Sequence, residues 1–265
     1  MASYDRHSSQ EFARISRRLD RYFVSIPMDC PYQLPCTAVF YQALFGPLTD
    51  HLMELFLDAG YRRNGNMLYT MHCPDCQGCI PIRIDPSRWR PTRSQRRVRR
   101  RNDDLEVRIG PVQMTHESLD LCERFLRTRY PHKHNTAVGY YSGFFLNHII
   151  TTLEFQYRLD GRLVGGGIAD IGENWMNAVY FYFDPDEAKR GLGNFNIITM
   201  IEFCREKQIE HLYLGYYIPT VPAMAYKARF TPHYLRLHGD WRLMEKGDVI
   251  PPGILCGESA FGDRQ

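Results

Sequence analysis

The stretch from Tyr180 to Pro232, YFYFDPDEAKRGLGNFNIITMIEFCREKQIEHLYLGYYIPTVPAMAYKARFTP, decides the reading of this chain. It opens as an aromatic strand, turns at Asp184-Pro185, crosses Arg190-Gly191-Leu192-Gly193 and enters a segment in which Phe195, Ile198 and Ile201 recur at helical spacing. Arg205 and Lys207 close that helix, where cations suit the negative end of the dipole. A second strand, from His211 to Gly215, follows. Strand, Gly-rich loop, helix and strand in this order place backbone N–H groups at a helix N-terminus, a site for phosphate or pyrophosphate; glycines that only turn the chain leave the same trace.

Working back from that stretch, residues 152–159, 162–170 and 175–183 read as strands joined by the tight turns Asp160-Gly161 and Gly172-Glu173-Asn174. Antiparallel strands leading through a Gly loop into a helix are the order of the acetyltransferase-type α/β fold. The predicted fold class is therefore α/β (α+β): an acetyltransferase-like domain with a mixed, mainly antiparallel sheet over residues 136–265, and a smaller cysteine-bearing α/β portion over residues 1–135. The loop from Pro131 to Tyr141 links them. In the first portion, residues 1–25 read as a short helical or poorly ordered arm, and three prolines exclude helix between Ser25 and Cys36. A strand is expected from Thr37 to Phe45, a helix from Pro47 to Ala59 stopped by Gly60, a hairpin turn at Asn64-Gly65, and a strand from Ile80 to Ile84. Beyond these come a strand from Leu105 to Ile109 and a helix from His116 to Tyr130.

At 265 residues, 44% hydrophobic and 24% charged, the composition is that of a globular protein with a substantial core, not of a disordered chain. No apolar run reaches the roughly 18 residues of a membrane span, and the N-terminus has no apolar secretory core. A cytoplasmic protein without a membrane partner is expected. Eight cysteines then point to thiols or metal ligation rather than disulfides.

Three constellations could carry chemistry. Cys73, Cys76 and Cys79 form C-x2-C-x2-C, a spacing that lets thiolates converge on zinc or an iron–sulfur cluster if a fourth ligand joins them, first of all Cys30, with His72 and Cys36 behind it. Small buried thiols in a turn-rich loop would look the same. Residues 93–101 carry six arginines in nine positions: Arg93, Arg96, Arg97, Arg99, Arg100 and Arg101. In a helix, Arg93, Arg96 or Arg97, and Arg100 share one face and would track a phosphate backbone, the alternative being a solvated basic face. Beyond the last strand of the opening stretch, Tyr226, Lys227 and Arg229 offer a phenol and two cations where α/β folds gather ligands.

Taken together, Cys30-Pro31-Tyr32, His72-Cys73-Pro74-x-Cys76-x-x-Cys79-x-Pro81-x-Arg83-Ile84, Arg93-Ser94-Gln95-Arg96-Arg97, Phe183-Asp184-Pro185, Leu192-Gly193, Tyr213-Leu214-Gly215-Tyr216-Tyr217-Ile218 and Met224-x-Tyr226-Lys227-Ala228-x-Phe230-x-Pro232 resemble the aminoacyl-tRNA–protein transferases of the N-degron pathway. The match spans nearly the whole chain. The compact length, H-C-P-x-C-x-x-C and R-S-Q-R-R look like the bacterial branch, which transfers leucine to proteins beginning with Asp or Glu. Arginyltransferases are the neighbouring branch. One departure is an inserted Gln33 and an extra Cys36 after Cys30, where the bacterial pattern is closer to C-x-Y-L-P and a polar residue.

The resemblance implies an aminoacyl-tRNA donor and a protein acceptor with N-terminal Asp or Glu. It implies no cofactor for transfer, and a possible zinc or iron–sulfur cluster at Cys30, Cys73, Cys76 and Cys79. On that footing Tyr226 is assigned proton handling, the amides of Gly191, Leu192, Gly193 and Asn194 the tRNA 3′ end, and Arg97, Lys227 and Arg229 the acceptor's carboxylate. Arg93, Arg96, Arg99, Arg100 and Arg101 are assigned the tRNA backbone. An acyl-CoA-dependent N-acetyltransferase and a non-catalytic RNA-binding protein are the competing readings.

Overall fold

The computed structural model describes residues 2–250. In chain order the elements are α1 (Ala2–Leu19), β1 (Val24–Asp29), β2 (Thr37–Leu44), α2 (Asp50–Asp58), β3 (Arg62–Asn64), β4 (Met67–Met71), β5 (Ile80–Ile84), α3 (Arg93–Arg101), β6 (Glu106–Pro111), α4 (His116–Arg129) and α5 (Ala137–Tyr140). There follow β7 (Thr152–Leu159), β8 (Arg162–Ile171), β9 (Trp175–Phe183), α6 (Leu192–Glu206), β10 (His211–Tyr217), α7 (Pro222–Ala225), β11 (His233–Leu237) and β12 (Asp240–Met244). Short 3₁₀ turns cover Asp20–Tyr22, Pro185–Arg190 and Tyr226–Arg229, and a π-turn covers Tyr141–Phe145.

The chain forms two compact units, each discontinuous in sequence. The first gathers residues 1–63, 67–85 and 213–265; the second gathers 64–66 and 86–212. The boundary read at residues 135 and 136 falls inside the second unit, between α4 and α5.

In the first unit, β1-β2-β4-β3 neighbour one another in that order, with β1 antiparallel to β2 and β2 to β4. The strand β1 was not anticipated: the prolines excluded helix between Ser25 and Cys36, and no strand was assigned there. It is an edge strand, the one place in a sheet where a residue without an N–H is tolerated. The inserted Gln33 is absorbed in a tight turn: its φ is 60° and its N–H donates to the Cys30 carbonyl at 2.9 Å. Helix α2 starts three residues later than the expected Pro47, with Thr49 capping the Leu52 N–H, and buries Met53, Leu55, Phe56 and Leu57. Phe56 meets Phe12, Phe45 and Tyr61 at ring distances of 5.3, 5.4 and 5.1 Å. A second group of strands runs β12-β11-β5-β10, the last contributing Tyr213–Tyr217 to this unit. Between these strands and α2 lies a buried ion pair, Arg83 with Asp58, which Tyr213 also joins by donating to Asp58 at 3.1 Å. The Trp241 ring covers the Arg83 guanidinium at 4.3 Å.

In the second unit, β9-β8-β7-β6 form an antiparallel meander: β7, β8 and β9 are the strands predicted for the acetyltransferase-like domain, and β6, read as part of the first portion, joins their edge. Its centre is the run Gly165-Gly166-Gly167 on β8. A Cβ at Gly166 would overlap the Tyr182 ring, whereas a Cβ at Gly167 would overlap the Asn196 amide. Successive strand residues point to opposite faces, so the glycines let an aromatic layer press on one side and α6 on the other. The aromatic side holds Leu121, Phe125, Tyr141, Phe145, Ile168 and Tyr182. At its heart Glu154, fully buried, accepts hydrogen bonds from Tyr141 (3.1 Å) and Tyr182 (3.0 Å). On the α6 side, Tyr157 donates to Asn196 at 2.8 Å.

Candidate functional site

Each unit carries one region with the chemistry of a site. In the second unit, Thr92 caps α3 in a full capping box: its hydroxyl accepts from the Gln95 N–H (3.3 Å) and its own N–H donates to Gln95 Oε1 (2.8 Å). The cap fixes where the helix begins and therefore which arginines share a face. Gln95, Val98 and Asn102 turn inward; Asn102 donates to the carbonyls of Val98 (2.8 Å) and Arg190 (3.1 Å). Three arginines are engaged locally: Arg96 on the Pro91 carbonyl, Arg99 on Glu202 of α6 at 3.3 Å, and Arg101 on the Lys189 carbonyl. Arg93, Arg97 and Arg100, at i, i+4 and i+7, are exposed and have no hydrogen-bond or ion-pair partner among the described residues. The helical face predicted from spacing is thus present, and three of the six guanidiniums are unengaged on it.

The Gly-rich turn lies against the same helix. Gly191 has φ 71°, a left-handed conformation that suits glycine, and its Cα faces Val98 of α3. Of the four amides assigned to an incoming phosphate or ribose, two are used internally: Gly191 donates to the Ala188 carbonyl (3.2 Å) and Asn194 to the Gly191 carbonyl (3.0 Å). The N–H groups of Leu192 and Gly193 have no partner among the described residues, and nothing stands within 4 Å of a Cβ at Gly193. Two amides at a helix start beside an arginine face make an anion-binding surface.

The first unit holds a cluster of cations at the C-terminal end of β10. Two successive carbonyls there each hold a cation: Gly215 accepts from Arg62 Nη2 at 2.8 Å, and Tyr216 accepts from Lys227 Nζ at 2.9 Å. Arg62 Nη1 donates to the Tyr61 carbonyl at 2.6 Å, and the guanidinium lies 5.2 Å from the Tyr216 ring. Arg62 is only 4% exposed, and its Nε is buried without a hydrogen-bond partner. Burial, and then the like charge of Arg62, lower the Lys227 ammonium to a pKa of about 7. Burial pushes Tyr69 up to about 12, with Arg62 opposing, and raises Tyr216 further. These phenols are therefore neutral donors at physiological pH.

Among the residues singled out from sequence, Tyr226 and Lys227 sit side by side in the turn after α7. The Tyr226 hydroxyl has no hydrogen bond among the described residues, and burial raises its pKa, so it stays protonated. Arg229 ends the same turn with its side chain exposed. Arg97 belongs to α3 of the other unit. Arg62 was missed by sequence reasoning. It stands in an Arg-Arg-Asn-Gly hairpin with no motif around it, and only the fold reveals that Gly215, 153 residues away, holds it.

Cys30, Cys73, Cys76 and Cys79 are free and partly buried. Burial first, then the neighbouring thiols of Cys73, Cys76 and Cys30, push the Cys79 thiol up to about 12, so the four share one neighbourhood. Their donor chemistry suits a soft metal. Among the described residues, however, no group of three or more His, Cys, Asp or Glu side chains is arranged as a ligand set. Among the described residues, no helix is long and apolar enough to cross a membrane.

Both halves of the chain match a known family. The profile described as "Arginine-tRNA-protein transferase, N terminus" matches residues 28–97, and that described as "Arginine-tRNA-protein transferase, C terminus" matches residues 117–237. A curated relative from Halorhodospira halophila (strain DSM 244 / SL1), named aspartate/glutamate leucyltransferase, is 37% identical over 202 residues, 75% of this chain and 86% of its own length. A relative of the same name from Gluconacetobacter diazotrophicus is 33% identical over 247 residues, 89% of this chain and 94% of its own. One solved structure, the C-terminal domain of a putative lysylphosphatidylglycerol synthetase from Agrobacterium fabrum, is 12% identical with a TM-score of 0.45, covering 92% of this chain and 91% of its own.

Proposed function

The chain belongs to the arginine-tRNA–protein transferase family, and from that premise we propose that it is an aspartate/glutamate leucyltransferase: it moves leucine from leucyl-tRNA to the α-amine of proteins that begin with Asp or Glu. The observation that carries this reading is the continuous match, at 33% identity over 89% of the chain, to a relative of that name. Arginine as the donated residue is the second reading, favoured by the description of the family profiles.

The donor is already an activated ester, so the reaction is an aminolysis. The acceptor's α-amine attacks the aminoacyl carbonyl carbon, an amide bond forms, the ester bond breaks, and the ribose oxygen leaves. The amine loses one proton and the ribose oxygen gains one. With an α-amine pKa of about 7.7–8.0, a usable share of acceptor is neutral near pH 7, so positioning supplies much of the acceleration. Tyr226, a protonated phenol without a hydrogen bond among the described residues, is suited to donate to the leaving oxygen or to the oxyanion. The unengaged arginines of α3 and the Leu192 and Gly193 amides are suited to tRNA phosphates.

Purified protein, leucyl- and arginyl-tRNA as donors, and peptides beginning with Asp, Glu, Asn or Lys as acceptors test the proposal. Transfer of leucine preferentially to Asp and Glu is expected. Transfer of arginine instead assigns the other branch, and equal transfer to Lys refutes acidic specificity.

A further inference from the structure

The pair Arg62 and Lys227 is an anomaly unless a ligand completes it. Two cations are held at the end of β10 by adjacent main-chain carbonyls, and neither has a carboxylate partner among the described residues. A buried cation without a counter-ion is costly, several kcal/mol in typical cases, and proteins retain such a group where an anion arrives to neutralise it. Arg83, another buried arginine of this unit, follows the ordinary rule and is paired with Asp58.

Geometry gives the space between the two cations a floor. Gly215 has φ 78°, and a Cβ placed on it would lie 3.6 Å from Lys227 Nζ and 4.0 Å from Arg62 Nε, with nothing else within 4 Å. The one Arg62 nitrogen without a partner and the Lys227 ammonium thus flank a single carbon-sized position that the missing side chain leaves open. The rings of Tyr69 and Tyr216, both neutral, lie near the same guanidinium, the Tyr216 hydroxyl donating to the Gly60 carbonyl at 3.4 Å.

We infer that Arg62 and Lys227, over the bare Cα of Gly215, form the subsite that takes the side-chain carboxylate of the acceptor's first residue. The inference rests on the acidic-acceptor reading above and names the groups that would enforce it. A carboxylate on one or two methylenes can reach a guanidinium that is 4% exposed, whereas a phosphodiester flanked by two riboses cannot. An amide in its place would supply no charge and leave both cations uncompensated, which is how the subsite rejects Asn and Gln. Of the three cations that sequence alone proposed for this task, Lys227 alone lies at this position, and Arg62 is its partner.

The test measures leucine transfer to otherwise identical peptides beginning with Asp, Glu or Asn, together with the Kd for leucyl-tRNA, in the full-length protein and in Arg62→Gln, Arg62→Lys and Lys227→Met. Removing one partner of a buried, hydrogen-bonded charge contact predicts a loss of about 30-fold or more in kcat/KM for Asp and Glu peptides. The same variants leave the Asn peptide nearly unchanged, so the Asp-to-Asn preference collapses, and Arg62→Lys, which keeps the charge, retains part of it. The Kd for leucyl-tRNA stays within about twofold, since the phosphate contacts lie elsewhere. An Asp-to-Asn preference that survives in Lys227→Met overturns the inference, as does a loss confined to tRNA affinity, which would make the subsite a phosphate site. Arg62→Gln also removes support for three carbonyls, those of Leu57, Tyr61 and Gly215, so Lys227→Met, which gives up a single carbonyl contact, is the deciding variant. If the unaltered protein transfers no leucine, it is the functional reading that fails. Calorimetry with the Asp peptide then decides the subsite: binding abolished by Lys227→Met upholds it, and no binding to the unaltered protein refutes it.

Discussion

Lys227→Met should change stability in a direction that reverses with pH. Burial holds the Lys227 ammonium at a pKa of about 7 in the folded protein, against 10.5 for the free side chain. Below pH 7 both states bind the proton, and the folded state carries the full cost of a buried charge. The shift of 3.5 between those two values, at 1.36 kcal/mol per pKa unit, gives an upper limit of about 4–5 kcal/mol. Between pH 7 and 10.5 the unfolded chain binds more protons than the folded one, so wild-type stability rises with pH and the cost disappears. Methionine has no such charge but loses the 2.9 Å hydrogen bond to the Tyr216 carbonyl, worth about 1–1.5 kcal/mol. The variant is therefore expected to be more stable than wild type by about 3 kcal/mol at pH 6, equal near pH 9.5, and less stable by about 1 kcal/mol above pH 10.5. Urea unfolding followed by circular dichroism, with midpoints compared at pH 6, 7.5 and 9, reads this directly. Parallel midpoints for the two proteins across that range would refute the claim that Lys227 carries a buried, uncompensated charge.

Other perturbations follow from the same geometry. Replacing Arg93, Arg97 and Arg100 together with Gln should weaken tRNA binding and flatten the dependence of log K on log salt by about 2–3, read by filter binding across salt concentrations; an unchanged slope would free those arginines of any phosphate role. Gly166→Ala drives a methyl into the Tyr182 ring and displaces the phenol from Glu154, so overpacking and a lost charged hydrogen bond together cost roughly 3–5 kcal/mol and lower the melting temperature by about 10 °C. Asp184 is fully buried, and although burial alone would raise its pKa, hydrogen bonds from Arg124, the Asp186 N–H and Arg162 hold it below the ordinary carboxylate value. Its stabilisation is present above the unfolded pKa and lost as pH falls through the lower folded value, so Asp184→Asn should flatten the acid limb of the unfolding curve below about pH 4. Gly215→Ala, at a φ of 78°, should lose transfer to Asp and Glu peptides while tRNA affinity holds, because the methyl enters the space between Arg62 and Lys227.

The sequence was most informative where local chemistry decides structure. Period-two strands at residues 152–183, the Thr49 cap of α2 and the helical spacing of the arginine run all appear as expected, because each depends on neighbours a few residues apart. The hairpin of β11 and β12 was not anticipated. Its turn, His238-Gly239, has φ of 52° and 91°, and histidine is not a residue that announces a left-handed conformation. The cysteine spacing located a thiol cluster without fixing how its members face one another. Long-range partners were the real limit. Gly215 was visible only as a residue of a family motif, and its physical setting, a φ of 78° beneath Lys227 and Arg62, emerges when residues 62, 215 and 227 are brought together. The three carboxylate-binding cations proposed from sequence were chosen by type; burial and missing counter-ions single out Lys227 and add Arg62.

The most direct test of the central claim is a side-by-side transfer measurement with leucyl-tRNA and arginyl-tRNA on peptides that differ only in their first residue. The account predicts leucine on Asp and Glu peptides at a rate about 30-fold or more above that on Asn or Lys peptides, and no transfer of arginine. Leucine appearing on Asn peptides as readily as on Asp peptides would contradict it.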